Sequence, residues 1–151
     1  MADVDYPKWA TFYEAILHMY AIHPGAKVCE CACGTGSLTI ALAEKGYALT
    51  GVDLSEEMLF EASKKARRAG VMIPFVKQDM RALRLHRQMD AVLATCDGLN
   101  YLAGDEDVSM FFASAFAALR EGGVLAFDLS TPYKLEHVLG DNFIGDETAD
   151  I

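Results

Sequence analysis

The segment Glu30-Cys-Ala-Cys-Gly34-Thr-Gly36 sets an acid ahead of two closely spaced glycines. A glycine turn lets a ligand approach the main chain, and where it opens a helix the unpaired N–H groups and partial positive charge suit a carboxylate or a phosphate. A second acid, Asp53, stands 17 residues beyond Gly36. An acid at that distance, at the end of a second strand, can accept two hydrogen bonds from ribose hydroxyls. The remaining reactive side chains point elsewhere. Cys29, Cys31 and Cys33 are separated by single residues, whereas zinc-ligand pairs usually have about two to four residues between them. On a strand, Cys29 and Cys31 face one way and serve as small buried hydrophobes. His18, His23, His86 and His137 are scattered, so no metal is expected.

These groups need elements to position them. Apolar residues Trp9, Phe12, Ile16, Met19 and Tyr20 recur mostly at spacings of three or four, which predicts a helix over residues 6–22, stopped by Pro24-Gly25. Residues 26–31 read as a strand, 34–36 as a turn, and 37–45 as a helix ended by Gly46. The alternation continues with a strand at 47–52, a helix at 55–69 closed by Gly70, and a third strand at 73–77 followed by no clear helix. A fourth strand at 89–94, a helix at 105–119 and a fifth strand at 122–128 complete the pattern. Apolar strands separated by helices imply a parallel sheet covered on both faces.

Composition narrows the class. The chain has 151 residues, 52% of them hydrophobic and 23% charged, which suits one folded domain. With 22 Asp and Glu against 13 Lys and Arg the net charge is −9, so the surface repels nucleic acid and a small-molecule ligand is favoured. No apolar run approaches the roughly 20 residues of a membrane span. The acidic start of the chain lacks the basic region of a secretion signal, which leaves the cytoplasm as the default location.

The pattern after the first strand is not Gly-x-Gly-x-x-Gly, since Thr39 stands in the third glycine's place. With its leading acid it resembles the motif of class I S-adenosylmethionine-dependent methyltransferases, an acid followed by Gly-x-Gly-x-Gly, with Ala32 in the first glycine place. That substitution asks only that position 32 not need a positive φ. The resemblance implies that Glu30, Ala32, Gly34 and Gly36 serve the cofactor's amino-acid end, that Asp53 takes the ribose, and that Leu54 walls the base. It implies further that Asp79 accepts from the adenine amino group while the Met80 N–H donates to the ring. Asp79 on its own residue type would be a solvated loop or helix-capping residue. The segment from Thr95 to Leu102 is similar to the stretch beside the methionyl group, with the Thr95 and Cys96 backbone near the ammonium and Asp97 and Asn100 facing the transfer site. Asp97, in an Asp-Gly pair, is a turn residue by type and the first candidate for orienting or deprotonating an acceptor. Phe12 and Tyr13 are candidate lid contacts or sheet-packing residues. A Pro-Pro-Tyr type motif of DNA amino-methyltransferases is absent.

The expected architecture is a doubly wound α/β fold, a Rossmann-like methyltransferase core with strand order 3-2-1-4-5. One S-adenosylmethionine-binding domain is expected over 1–151, with a helical cap at 1–25, a core at 26–130 and an irregular tail at 131–151. Complete family members continue with a sixth and an antiparallel seventh strand, which the sequence is expected to lack. The fifth strand would then be an open edge, and a homo-oligomer through it, a partner segment or a poorly ordered tail is expected. Three functions remain open at this point: a methyltransferase acting on a small molecule, a cofactor-binding module without turnover, and an NAD(P)-dependent oxidoreductase domain.

Overall fold

The computed structural model of the protein describes residues 5–95 and 102–128. Its first helix, α1 (Tyr6–Met19), is capped by Asp5, whose carboxylate accepts from the Lys8 N–H at 3.1 Å, and has Pro7 in its first turn, where no intrahelical N–H is needed. It ends three residues before the predicted boundary. Ala21 takes a left-handed φ of 64° and the Ile22 N–H reaches back to the Leu17 carbonyl at 2.8 Å, so the helix closes itself before Pro24 is reached. Its buried face is also rotated from the expected one. Ala10, Tyr13, Ile16 and Leu17 are buried, whereas Met19 is 75% exposed.

Five strands follow in alternation with helices: β1 (Lys27–Cys31), α2 (Ser37–Glu44), β2 (Ala48–Asp53), α3 (Glu56–Ala69), β3 (Phe75–Lys77), β4 (Met89–Ala94), α4 (Gly104–Ala118) and β5 (Leu119–Phe127). They form one parallel sheet of order β3-β2-β1-β4-β5, as the sequence predicts. Alternate residues of each strand feed two cores. Val28, Leu49, Ala91, Leu93, Val124 and Ala126 pack with α1 and α2, while Cys29, Cys31, Val52, Val92, Ala94 and Phe127 pack with Phe111 and Ala115 of α4. Each large apolar side chain so buried contributes roughly 2 kcal/mol. The two thiols therefore do serve as small hydrophobes on one sheet face.

Two boundaries differ for clear reasons. β3 starts at Phe75 because Pro74 has no N–H for the ladder. β5 begins three residues early because Leu119 pairs with Met89 and Arg120 bonds Asp90 at 2.5 Å, across a register shift between Met89 and Ala91. Between β3 and β4 a 3-10 turn (Met80–Ala82) stands in place of a helix. The Gln78 carboxamide closes this stretch by donating to the Arg84 carbonyl at 2.8 Å and accepting from its N–H at 2.9 Å. The chain thus runs outward from β1 to β3 and returns past β1 to β4, which leaves the switch point of the sheet between those two strands. Among the described residues β5 is an edge strand, and no helix is long and apolar enough to cross a membrane.

Candidate functional site

The glycine turn after β1 is held from three sides. From the inside, Glu30 is 2% exposed, with the Thr39 hydroxyl 2.5 Å from Oε1 and the Thr95 hydroxyl 2.8 Å from Oε2. Burial pushes its carboxyl up to about 7, reinforced by Asp128 and Asp53 and partly offset by the two hydroxyls. From β2, the Asp53 carboxylate accepts from the Gly34 N–H at 2.8 Å and from the Ser55 N–H at 2.9 Å. From α3, Lys65 Nζ reaches Ser37 Oγ at 2.5 Å and Thr35 Oγ1 at 3.2 Å.

Within the turn, Ala32 has φ 54°. The expectation that position 32 would not need a positive φ is therefore incorrect. The chain turns directly after Cys31 in the left-handed region, so alanine there carries backbone strain of order 1 kcal/mol. Gly36 caps α2 at φ 79°, and a Cβ there would stand 3.0 Å from Ala62 Cβ and 3.1 Å from Phe75 Cζ. Both conformation and space call for glycine at that position.

Beside the turn, at the ends of β1, β2 and β3, lies a cavity of about 490 Å³. It brings together Ala32, Gly34, Asp53, Leu54, Asp79 and Met80 of the residues expected from the sequence. Glu30, Gly36 and Thr95 are buried and do not line it. Cys96, Asp97 and Asn100 fall outside the described residues, as does the tail at 131–151. Tyr13 is no lid contact, because its ring is fully buried and its hydroxyl donates to Asp128 Oδ2 at 2.7 Å. Phe12 packs edge-on against the Trp9 and Tyr13 rings.

The cavity also holds residues that the sequence did not single out, Arg81 and Asp107 chief among them. Arg81 grips Asp79 through Nε, at 3.0 and 3.1 Å from the two oxygens, and through Nη2 at 2.7 Å from Oδ2, while its Nη1 donates to Asp107 at 2.9 Å. Asp79 also caps the 3-10 turn by accepting from the Arg81 N–H at 2.9 Å. The guanidinium holds both carboxylates below the usual range. Asp107 could not be distinguished in the sequence from Asp105 and Glu106, since an acidic first turn favours any helix. Among the described residues no cluster of His, Cys, Asp and Glu could hold a metal ion.

A family profile described as a methyltransferase domain matches residues 28–123. This chain belongs to the class I S-adenosylmethionine-dependent methyltransferases. The YqeM protein of Bacillus subtilis, which carries a methyltransferase name, is 38% identical to this methyltransferase chain over 152 residues, covering all of the chain and 59% of YqeM. The crystal structure of an S-adenosylmethionine-dependent methyltransferase from Clostridium acetobutylicum superposes with a TM-score of 0.80 at 37% identity, covering 91% of this chain and 56% of that one. A glycine/sarcosine N-methyltransferase from Aphanothece halophytica is 31% identical over 132 residues, 80% of this chain and 50% of that protein. The methyltransferase chain thus spans 50 to 59% of the length of these three proteins. The membership decides against the nicotinamide-dependent reading of the turn.

Proposed function

We propose that this chain binds S-adenosylmethionine in the cavity beside the glycine turn and takes part in methyl transfer to a small-molecule acceptor. The observation that carries the reading is the charge of the cavity wall. The charged residues that line the cavity are Asp53, Asp79, Asp107 and Arg81, a formal balance of −2. That wall suits a ligand of net positive charge, which S-adenosylmethionine has from its sulfonium and ammonium against one carboxylate, and opposes a pyrophosphate.

The acceptor capacity fits as well. Asp53 uses two of its roughly four lone-pair positions on Gly34 and Ser55, which leaves two for the hydroxyls of a ribose. Asp79 and the Met80 N–H would take the base edge, with Leu54 and Met58 as apolar cover; Leu54 is 62% exposed and free to close on a ring. Ala32 and Gly34 supply main chain for the amino-acid end. Glu30 and Gly36 act from behind the wall by fixing the turn, and Thr95 ties Glu30 to the end of β4. Roles for Cys96 and for Asp97, the candidate for orienting the acceptor, rest on the family resemblance.

When bound, S-adenosylmethionine supplies a methyl group on a positively charged sulfur. Transfer from it requires mainly an in-line approach at close range, so the residues contribute by binding, orienting and excluding water. The glycine/sarcosine relative favours a small acceptor, and the acidic chain disfavours nucleic acid. Because the chain spans 59% of YqeM, a module that binds the cofactor without turnover is the second reading. Titration calorimetry with S-adenosylhomocysteine and with NAD tests the binding, and binding of the first alone is expected. A folded sample that fails to bind S-adenosylhomocysteine overturns the proposal. Methyl transfer to glycine and related small amines then separates enzyme from module.

A further inference from the structure

We infer that Arg81 is a positioning residue for the base end of this cavity, coupling the Asp79 carboxylate to the first turn of α4 so that ligand binding and the order of that wall depend on each other. The inference rests on the proposed function, since it takes Asp79 as the acceptor of a base amino group.

The bonding around Asp79 is the starting point. A carboxylate has about four acceptor positions. Here Oδ1 receives the Arg81 N–H and Nε, and Oδ2 receives Nε and Nη2. Nε is shared between the two oxygens at 3.0 and 3.1 Å, so one of its two contacts can be released with little loss while Nη2 stays at 2.7 Å. Asp79 therefore offers one directed acceptor position, held in a fixed plane by a rigid fork of donors. Without the fork only the Arg81 N–H, on Oδ1, would hold this carboxylate, and Oδ2 would lose its donors.

The other end of the guanidinium reaches Asp107. Asp107 accepts from the Ala103 N–H at 3.1 Å through its second oxygen, so the opening of α4 is tied to Arg81. A further bond, from the Leu83 N–H to Ser114 Oγ at 2.7 Å, fastens the same stretch to the middle of α4. Leu102 and Asp107 are both cavity-lining residues. Releasing Arg81 thus loosens the base acceptor and the facing wall together. Lysine cannot replace it, because a single ammonium has no fork to span two carboxylates.

The test is a double-substitution cycle read by calorimetry with S-adenosylhomocysteine, together with amide exchange of peptides covering residues 103–110. Arg81→Met is expected to weaken binding about tenfold and Asp107→Asn about threefold. The double variant is expected to bind no more weakly than Arg81→Met alone. Ligand should slow exchange of the 103–110 peptides in the unaltered chain and not in Arg81→Met. Arg81→Lys, which keeps the charge, should bind at least threefold more weakly. Unchanged affinity in either Arg81 variant, additive effects in the cycle, or equal ligand protection in Arg81→Met would overturn the coupling. Failure of the unaltered chain to bind would instead refute the proposed function.

Discussion

Replacing Glu30 with glutamine isolates the ionisation of the buried carboxyl ahead of the glycine turn. In the folded protein burial raises this carboxyl from 4.5 to about 7. Below pH 4.5 the folded and unfolded states both keep the proton. Between pH 4.5 and 7 the unfolded chain gives it up while the folded chain retains it, so stability is lost as pH rises through this window. Above pH 7 both are ionised and the loss levels off. A shift of one unit corresponds to about 1.4 kcal/mol, so the full loss is of the order of 3 kcal/mol. Glutamine has nearly the same shape and cannot ionise. The Thr39 hydroxyl can still donate to its carbonyl oxygen, and the Thr95 hydroxyl can turn to accept from its amide. The variant should match the unaltered protein near pH 4.5 within about 1 kcal/mol and exceed it by about 1–3 kcal/mol at pH 8. Urea unfolding followed by circular dichroism, repeated at half-unit steps from pH 4.5 to 8, measures the difference. Groups common to both proteins cancel in it. A difference that stays constant across this range would refute the assignment of a protonated, buried Glu30.

Three further outcomes follow from the geometry. Asp53→Ala should weaken S-adenosylhomocysteine binding by ~1.5 kcal/mol or more, about tenfold, if the two remaining acceptor positions hold ribose hydroxyls; equal affinity by calorimetry removes that role. Gly51→Ala places a Cβ 2.6 Å from Phe75 Cδ1 and 3.0 Å from Cys33 Sγ, so unfolding stability should fall by about 1–3 kcal/mol, with partial recovery in the pair with Phe75→Leu. A stable Gly51→Ala protein would contradict that close approach. Pairing through the β5 edge predicts a mass that rises with concentration in light scattering, and a monomer whose β5 amides are well protected would argue against it.

The sequence by itself determined what depends on neighbours along the chain. The strand, turn and helix around Gly34 and Gly36, the cap of α3 by Ser55 and the acids at the ends of β2 and β3 follow from local pattern and residue type. Parallel strands joined by helices leave few topologies, and the methyltransferase resemblance of the glycine motif picked the order β3-β2-β1-β4-β5 among them. Tertiary structure decided what depends on distant partners. Tyr13 meets Asp128 across 115 positions, which removes it from the cavity. Arg81 meets Asp107 across 26, which gives Asp79 a partner absent from its own segment. Periodicity predicted that α1 has an apolar face, but the sheet selected Ala10 and Leu17 over Met19 for burial. The leading acid of the glycine motif illustrates the same division. Its place before the turn is written in the sequence, while its burial against Thr39 and Thr95, and hence its proton, arises only when β1, α2 and β4 come together.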